Sequence, residues 1–350
     1  MMSLGVALMG SGAISDIHVR AVAAVAGLEL VSLWSRTPEA ALRRAREAGC
    51  RAVHDEAEVF TDPQVELVTI LTSSGSHARL ALAALRAGKH VLIEKPMALS
   101  LADCETLIAE AKRCERVLSV VSQRRFEPQH LAAKRVLEAG ALGKLLWVEA
   151  KCPYFRTQAY YDSASWRGTW AEDGGALMNQ AIHAVDLLLW LAGPADSLVA
   201  ETATQTHDME AEDLALVLAR LRSGAFASVM ASTSICPGFP PTLAFHGEKG
   251  SLCLAGTRVT AWHVPGVEAP LPCEEESVRP DGAALPSARY HQAQYEDLRE
   301  ALRAGRPPLV TAEQGAAAVA FVEAAYESSR RGGRVHMPPR SDSDDVTGAA

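Results

Sequence analysis

The chain lacks a basic excess, a long apolar run and paired cysteines, and each absence removes a class of function. It carries 34 Lys and Arg against 42 Asp and Glu, a net charge of −8. Binding to a polyanion needs clustered positive charge, so nothing here favours nucleic acid or an anionic membrane. The longest apolar stretches, Leu187–Ala192 and Gly315–Val322, fall well short of the roughly 20 residues that a membrane-spanning helix requires. The opening residues, MMSLGVALMGSG, have neither a basic n-region nor a small-residue cleavage site. No signal peptide is therefore expected, and the expected location is the cytoplasm. The seven cysteines, Cys50, Cys104, Cys114, Cys152, Cys236, Cys253 and Cys273, include no CxxC pair. That scatter fits reduced thiols better than a disulfide framework or a zinc site, and no metal is expected. Internal repeats and low-complexity tracts are absent as well.

Apolar residues are plentiful: 48% of 350, enough to bury a large core and long enough for two domains. Up to residue 122, short apolar runs alternate with helical stretches. The runs are Leu4–Met9, Leu28–Trp34, Leu67–Thr72, Val91–Glu94 and Val117–Ser122; the helices include Pro38–Ala48, His77–Ala87 and Leu101–Cys114. Gly88 stands where a helix-ending glycine belongs, and Ser100 with Asp103 opens the next helix. Strands alternating with helices imply a parallel sheet. After Gln123 the texture changes. A helix at Pro128–Ala139 leads to a strand at Lys144–Cys152, a polar and aromatic loop from Tyr154 to Asp173, and a helix over Ala176–Ala192. From Leu198 to Val264 the chain reads as successive strands, hence an antiparallel sheet. Helices near Ser287–Ala304 and Thr311–Arg331 follow, then a polar end. The expected fold is α/β: a Rossmann domain over 1–122, a second α/β domain with an open, mainly antiparallel sheet over 123–338, and a disordered tail over 339–350.

Three stretches carry chemistry. Gly10-Ser11-Gly12-Ala13-Ile14-Ser15 follows the first strand and opens a helix. The glycines allow a tight turn and close backbone approach to a pyrophosphate, and the helix N-terminus favours its charge. Ser15 departs from the usual Gly or Ala, and an ordinary strand–helix turn is the alternative. The second strand ends on Ser35-Arg36 rather than an acidic residue, which suits the 2′-phosphate of NADP over the 2′-OH of NAD; otherwise Arg36 is simply solvated. Glu94-Lys95-Pro96 leaves a parallel strand at its carboxyl end, where such sheets bind ligands. A lysine there can bond the oxygen being converted, or the motif is only a strand-ending turn; a cis Lys95–Pro96 bond is plausible. Asn179, His183 and Asp186 are spaced 4 and 3 apart, on one face of a helix. His183 can exchange a proton with an alcohol, or it is a core histidine partnered by Asp186.

Taken together with Ser76–Ala87, AGKHVLIEKPMALS (Ala87–Ser100), QRRFEP (Gln123–Pro128), GALGKLLWVEA (Gly140–Ala150), WRGTW (Trp166–Trp170), DGGALMNQAIHAVDLLLWLAG (Asp173–Gly193), GEKGSL (Gly247–Leu252) and YESSRRGGRV (Tyr326–Val335), these stretches resemble the Gfo/Idh/MocA family of NAD(P)-dependent oxidoreductases. The resemblance implies that Lys95 and His183 are the catalytic pair. It places cofactor contacts at Thr72, Ser73 and His77 as well as at Glu94 and Lys95. Many members of that family have an aspartate four residues before the histidine. Here the residue is Asn179, which cannot relay a proton, so it is expected to orient the substrate. Gln123, Arg124, Arg156, Trp166 and Arg167 are candidate substrate contacts; Arg124-Arg125 and Arg167 could equally be structural. His18 is expected to pack. The implied activity is hydride transfer between the nicotinamide, NADP before NAD, and a secondary alcohol or ketone of a sugar, sugar derivative or cyclitol. A non-sugar alcohol such as a trans-dihydrodiol, or a non-catalytic dinucleotide-binding regulator, is the alternative. The resemblance further implies a homodimer or homotetramer, assembled through the open sheet.

Overall fold

The computed structural model describes residues 3–271 and 287–338. Cys273 and the tail expected over 339–350 lie outside them. In the first part the strands are β1 (Leu4–Met9), β2 (Leu28–Trp34), β3 (Arg51–Val53), β4 (Leu67–Ile70), β5 (His90–Ile93) and β6 (Leu118–Val120). They form one parallel sheet in the order β3-β2-β1-β4-β5-β6. That order reverses direction beside β1, leaving a crevice at the carboxyl ends of β1 and β4. Helices cover both faces, which is why Val6 to Met9 and Leu67 to Ile70 are uninterrupted apolar or small and fully buried. These helices are α1 (Ser15–Ala24), α2 (Pro38–Ala48), α3 (Glu56–Thr61), α4 (His77–Arg86) and α5 (Leu101–Arg113). The sequence reading did not anticipate β3 and α3. β3 is three residues long and buries only Val53, too little for a periodicity to show. The start of α3 did carry a legible signal, a capping box between Asp55 and Glu58.

Beyond β6 come α6 (Pro128–Glu138), β7 (Leu145–Pro153), a short α7 (Gln158–Asp162) inside the loop, and α8 (Ile182–Ala192). Then follow β8 (Ala195–Ala203), β9 (Leu214–Leu221), β10 (Phe226–Ser232), β11 (Thr242–Gly247), β12 (Ser251–Ala255) and β13 (Arg258–His263). The chain closes with α9 (Ala288–Ala304), α10 (Ala312–Arg331) and β14 (Val335–His336). The second sheet has the order β13-β12-β11-β7-β10-β9-β8-β14. It is mainly antiparallel; β7 and β10 pair in parallel, because β10 returns beside β7 only after the helix and the β8–β9 pair. One face of this sheet packs under α8 and α10, and α9 lies against α1, so the C-terminal helices join the two sheets. The other face is open: along β9, Ala215, Val217, Ala219 and Leu221 are buried, while Leu216 and Leu218 are 56% and 67% exposed.

The helix expected over Ala176–Ala192 is two segments. Ala176–Ala181 winds as a π-helix before α8 begins at Ile182. Two glycines allow this entry. Gly174 has φ +78, and a Cβ on Gly175 would lie 1.7 Å from Glu212 Oε2. Glu212 fills that space and receives Leu177 N–H on its carboxylate and Ala176 N–H on its main-chain oxygen, each at 2.8 Å. The wider π turn removes the even 3.6-residue register on which the shared face of Asn179, His183 and Asp186 was argued.

Candidate active site

The glycine loop is built to leave donors and space. Gly10 has φ +135, and a Cβ there would lie 2.7 Å from the main chain of Leu71. A Cβ on Gly12 would meet nothing within 4 Å. Ile14 stands at the N-cap of α1 and offers no side-chain acceptor, so the first N–H groups beside Ala13 and Ile14 have no side-chain cap. Ser15 is buried and donates to Gly12 O at 2.7 Å, which accounts for a serine at that small-residue position. Ser11 Oγ donates to Ser35 Oγ at 2.8 Å, tying the loop to the end of β2. Arg36 is exposed and makes no hydrogen bond or ion pair among the described residues. Open space at Gly12, an uncapped helix start and an unengaged guanidinium fit a dinucleotide.

After β4 the expected contacts are partly turned inward. Thr72 Oγ1 accepts from Ser76 Oγ, and Ser73 Oγ donates to Glu172 Oε2, each at 2.7 Å. His77 is buried with Nδ1 2.8 Å from Pro96 O and Nε2 3.1 Å from Thr72 O. Burial pushes its pKa down, although both carbonyls and Glu94 oppose this. Both ring nitrogens face protein carbonyls. His77 therefore braces the β4 loop against the Lys95–Pro96 segment, whose peptide bond is cis, rather than facing a ligand.

Glu94 is buried. It accepts Lys95 N–H on Oε2 at 3.0 Å and lies 3.0 Å from His18 Nε2 through Oε1. His18 Nδ1 is 2.8 Å from Tyr295 OH, which meets Thr69 Oγ1 at 3.0 Å. The consistent assignment has Thr69 donate to Tyr295, Tyr295 to His18 Nδ1, and His18 Nε2–H to Glu94. Burial pushes the Glu94 carboxyl up, but His18, His291 and Lys95 outweigh it and hold the pKa at about 2. His18 thus does more than pack. His291 Nδ1 faces Ser287 O at 3.2 Å, while its Nε2 is buried without a partner, 3.9 Å from Glu94 Oε1. The ligand atoms of His18, Glu94 and His291 lie within 4.8 Å of one another. They come from three distant segments, so no spacing in the chain announced the cluster. The bonds already made account for His18 and Glu94 without an ion.

Lys95 leaves β5 toward the π turn, where its Nζ donates to the main-chain oxygen of Asn179 at 2.7 Å. Burial lowers the Lys95 pKa; Glu94 and Asp173 oppose the shift, and Arg156 and Arg124 add to it. Asn179 Nδ2 donates to Asp173 Oδ1, and Asn179 Oδ1 accepts from Gln180 Nε2 at 3.0 Å. One N–H and one lone pair of that amide remain for a substrate. His183 lines a small void of about 20 Å³ with Arg124, His130, Tyr154 and Leu243 among others. Burial, then the charges of Lys95 and Arg124, push its pKa well below the usual value, so at neutral pH it is a neutral base. Asp186 is not its partner. Both oxygens of Asp186 take the buried Arg125, through Nε at 2.9 Å and Nη2 at 2.5 Å, and Ser122 Oγ adds a third bond at 2.9 Å.

The adjacent arginines divide. Arg125 is structural, whereas Arg124 lines the void and stands 3.6 Å from Glu127. Gln123 Oε1 is buried without a hydrogen-bond partner. Arg156 donates to Gln180 Oε1 at 3.0 Å and lies over Tyr160. Arg167 donates to Tyr160 OH at 2.7 Å and stacks on Tyr160 and Trp166, so these two side chains rest on protein groups. Sequence reasoning missed Asp173, Tyr160 and Glu212. Each acts by touching a residue far from it in the chain or across a turn, and only Asp173 stood within a motif already read.

Residues 4–122 match the profile of an oxidoreductase family with an NAD-binding Rossmann fold, and residues 130–253 match the GFO/IDH/MocA C-terminal domain. The myo-inositol 2-dehydrogenase of Thermotoga maritima is 27% identical, over 92% of this chain and 95% of that protein. The scyllo-inositol 2-dehydrogenase (NADP(+)) IolW of Bacillus subtilis is 28% identical, over 79% and 80%. Among solved structures, the WlbA dehydrogenase of Bordetella pertussis, in complex with NADH and UDP-GlcNAcA, superposes with a TM-score of 0.86 at 31% identity, covering 97% of this chain and 100% of that one. With two matching profiles, a parallel nucleotide-binding sheet and a lysine bonded to the turn that leads into a histidine-bearing helix, the chain belongs to the Gfo/Idh/MocA family of NAD(P)-dependent oxidoreductases.

Proposed function

We propose that this protein prefers NADP to NAD and interconverts a secondary alcohol and a ketone on a sugar, sugar derivative or cyclitol. The observation that carries the reading is the bond from Lys95, at the carboxyl end of a parallel strand, to the π turn that leads into the helix bearing His183. The inositol and sugar-nucleotide names of the relatives support a polyhydroxylated substrate. The unengaged Arg36, together with the NADP(+) in the name of IolW, supports NADP. In this reading residues 1–122 hold the dinucleotide: Gly10 to Ile14 on the pyrophosphate, Ser35 and Arg36 on the ribose phosphate, and Thr72, Ser73, Glu94 and Lys95 along the crevice. Residues 123–338 hold the substrate and make the oligomer.

The bound nicotinamide supplies the hydride acceptor in oxidation and the donor in reduction. The chain does the rest. Lys95, held at Asn179, donates to the substrate oxygen and stabilises its developing charge. His183, kept neutral, takes the hydroxyl proton in oxidation and returns it in reduction. Gln123, Arg124 and Asn179 orient the remaining hydroxyls. A screen of sugars and cyclitols, followed by absorbance of the reduced nicotinamide, tests this. Lys95→Met and His183→Ala are each expected to lower turnover by about 10²–10⁴-fold, and near-wild-type turnover in both rejects the assignment.

The open sheet face supports a homodimer or homotetramer. Phe226 pairs across with Trp147, and Leu216 and Leu218 stand on the adjoining strand. All four are large, apolar and about half or more exposed, a contiguous patch of the kind monomers rarely show. No helix among the described residues is long and apolar enough to cross a membrane. The six cysteines among the described residues are free thiols, which supports a cytoplasmic location.

A further inference from the structure

We propose that Asp173 is the positioning carboxylate of this site, and that its presence is the reason position 179 is asparagine. Asp173 is 2% exposed. Its Oδ2 accepts Gly168 N–H at 2.8 Å and its Oδ1 accepts Asn179 Nδ2. Asn179 then turns its Oδ1 to Gln180 Nε2 and gives its main-chain oxygen to Lys95 Nζ. Asp173 thus acts on Lys95 through Asn179. It sets the amide that fixes the turn, and its charge faces the ammonium. Burial pushes the Asp173 carboxyl up; Gly168, Asn179, Lys95 and Arg167 pull against it.

The hydrogen-bond inventory allows few alternatives. With Asp173 in place, an aspartate at 179 would set a half-buried carboxylate against a buried one, which drives one of them to hold a proton. With asparagine at both positions, Gly168 N–H and Asn179 Nδ2, which now meet different oxygens of residue 173, would leave one donor facing an amide NH₂ instead of an acceptor. The reversed pair does satisfy every group. An asparagine at 173 accepts from Gly168 and donates to an aspartate at 179, which also accepts from Gln180. The site therefore needs one carboxylate and one amide, and tolerates them in either order.

The proposal rests on the dehydrogenase reading, and the experiment has two arms so that the two can fail separately. In the first arm, kcat and KM are measured for Asp173→Asn, Asn179→Asp and the double exchange D173N/N179D. Each single variant is expected to lose roughly 10- to 100-fold in kcat, the span of one hydrogen bond to a charged group, with KM little changed. The double exchange is expected to recover to within about tenfold of wild type. In the second arm, Lys95 is titrated in the ligand-free protein by its side-chain ¹³Cε shift. The charged and titratable groups facing it are Glu94, Asp173, Arg156, Arg124, His183 and His77. Asp173→Asn is expected to lower the Lys95 midpoint, and the double exchange to restore it. Singles with wild-type kcat, a double exchange no better than the worse single, or a Lys95 midpoint unmoved by Asp173→Asn each overturn the proposal. A wild-type protein that turns over no sugar or cyclitol overturns the dehydrogenase reading instead, and leaves the lysine titration to decide on Asp173.

Discussion

Glu212 offers a stability measurement with a definite sign. It closes the start of the π turn that carries Asn179 and leads into α8, receiving Leu177 N–H at 2.8 Å and Tyr326 OH at 3.0 Å on Oε1. Its Oε2 is buried without a partner. Burial pushes the carboxyl from 4.5 up to about 7, against the pull of these donors. Below pH 4.5 the group is protonated folded and unfolded, and costs nothing. Between 4.5 and about 7 the unfolded chain ionises while the folded one keeps its proton, so stability falls as pH rises. Above that the loss saturates. At 1.36 kcal/mol per pKa unit, it amounts to about 3 kcal/mol. Glu212→Gln has nearly the same shape and cannot ionise. Urea denaturation of the variant and wild type at pH 5 and pH 8 isolates this group, because every other titration occurs in both. The stability difference, variant minus wild type, should grow by about 2–3 kcal/mol from the lower to the higher pH. A fixed offset from the new amide would not alter that growth. A difference that is flat with pH, or that shrinks, refutes the claim that burial outweighs the donors around Glu212.

Three further outcomes follow from particular contacts. Asp186→Ala leaves the buried Arg125 guanidinium without its carboxylate and should cost about 3–5 kcal/mol in denaturant unfolding; a loss below about 1 kcal/mol would mean that the pair is exchanged for solvent. Arg36→Glu should move the ratio of kcat/KM for NADP over NAD by roughly 10- to 100-fold toward NAD, and an unchanged ratio would remove Arg36 from the ribose phosphate. Leu218→Glu places a charge in the middle of the open sheet face and should yield monomers in sedimentation; an unaltered mass would move the interface elsewhere.

Much of this protein could be read along the chain because the signals were local. The glycine loop, the lysine after a buried strand and the alternation of strands with helices all depend on residues a few positions apart, and helix and sheet geometry follows from those spacings. Ser35-Arg36 was legible as a departure from an acidic strand end for the same reason. The partners were not legible. Arg124 and Arg125 are neighbours in a motif read as one unit, yet Arg124 lines the void and Arg125 is sealed onto Asp186. That division depends on where α8 crosses the turn at Gln123–Phe126. Asp186, the partner of His183 in the alternative reading of a core histidine, is taken by Arg125, 61 residues away. His77 sat in the expected loop, but the Pro96 carbonyl took it inward. Spacing along a helix says which side chains share a face. It does not say which buried charge from another segment will meet them, and in a low-dielectric interior that meeting sets both protonation and orientation. The sequence therefore sufficed to place a dinucleotide, a lysine and a histidine in one protein. The packing of the second sheet and the C-terminal helices decided how they are held: Asp173 on Asn179, Glu212 under the π turn, and the histidines around Glu94.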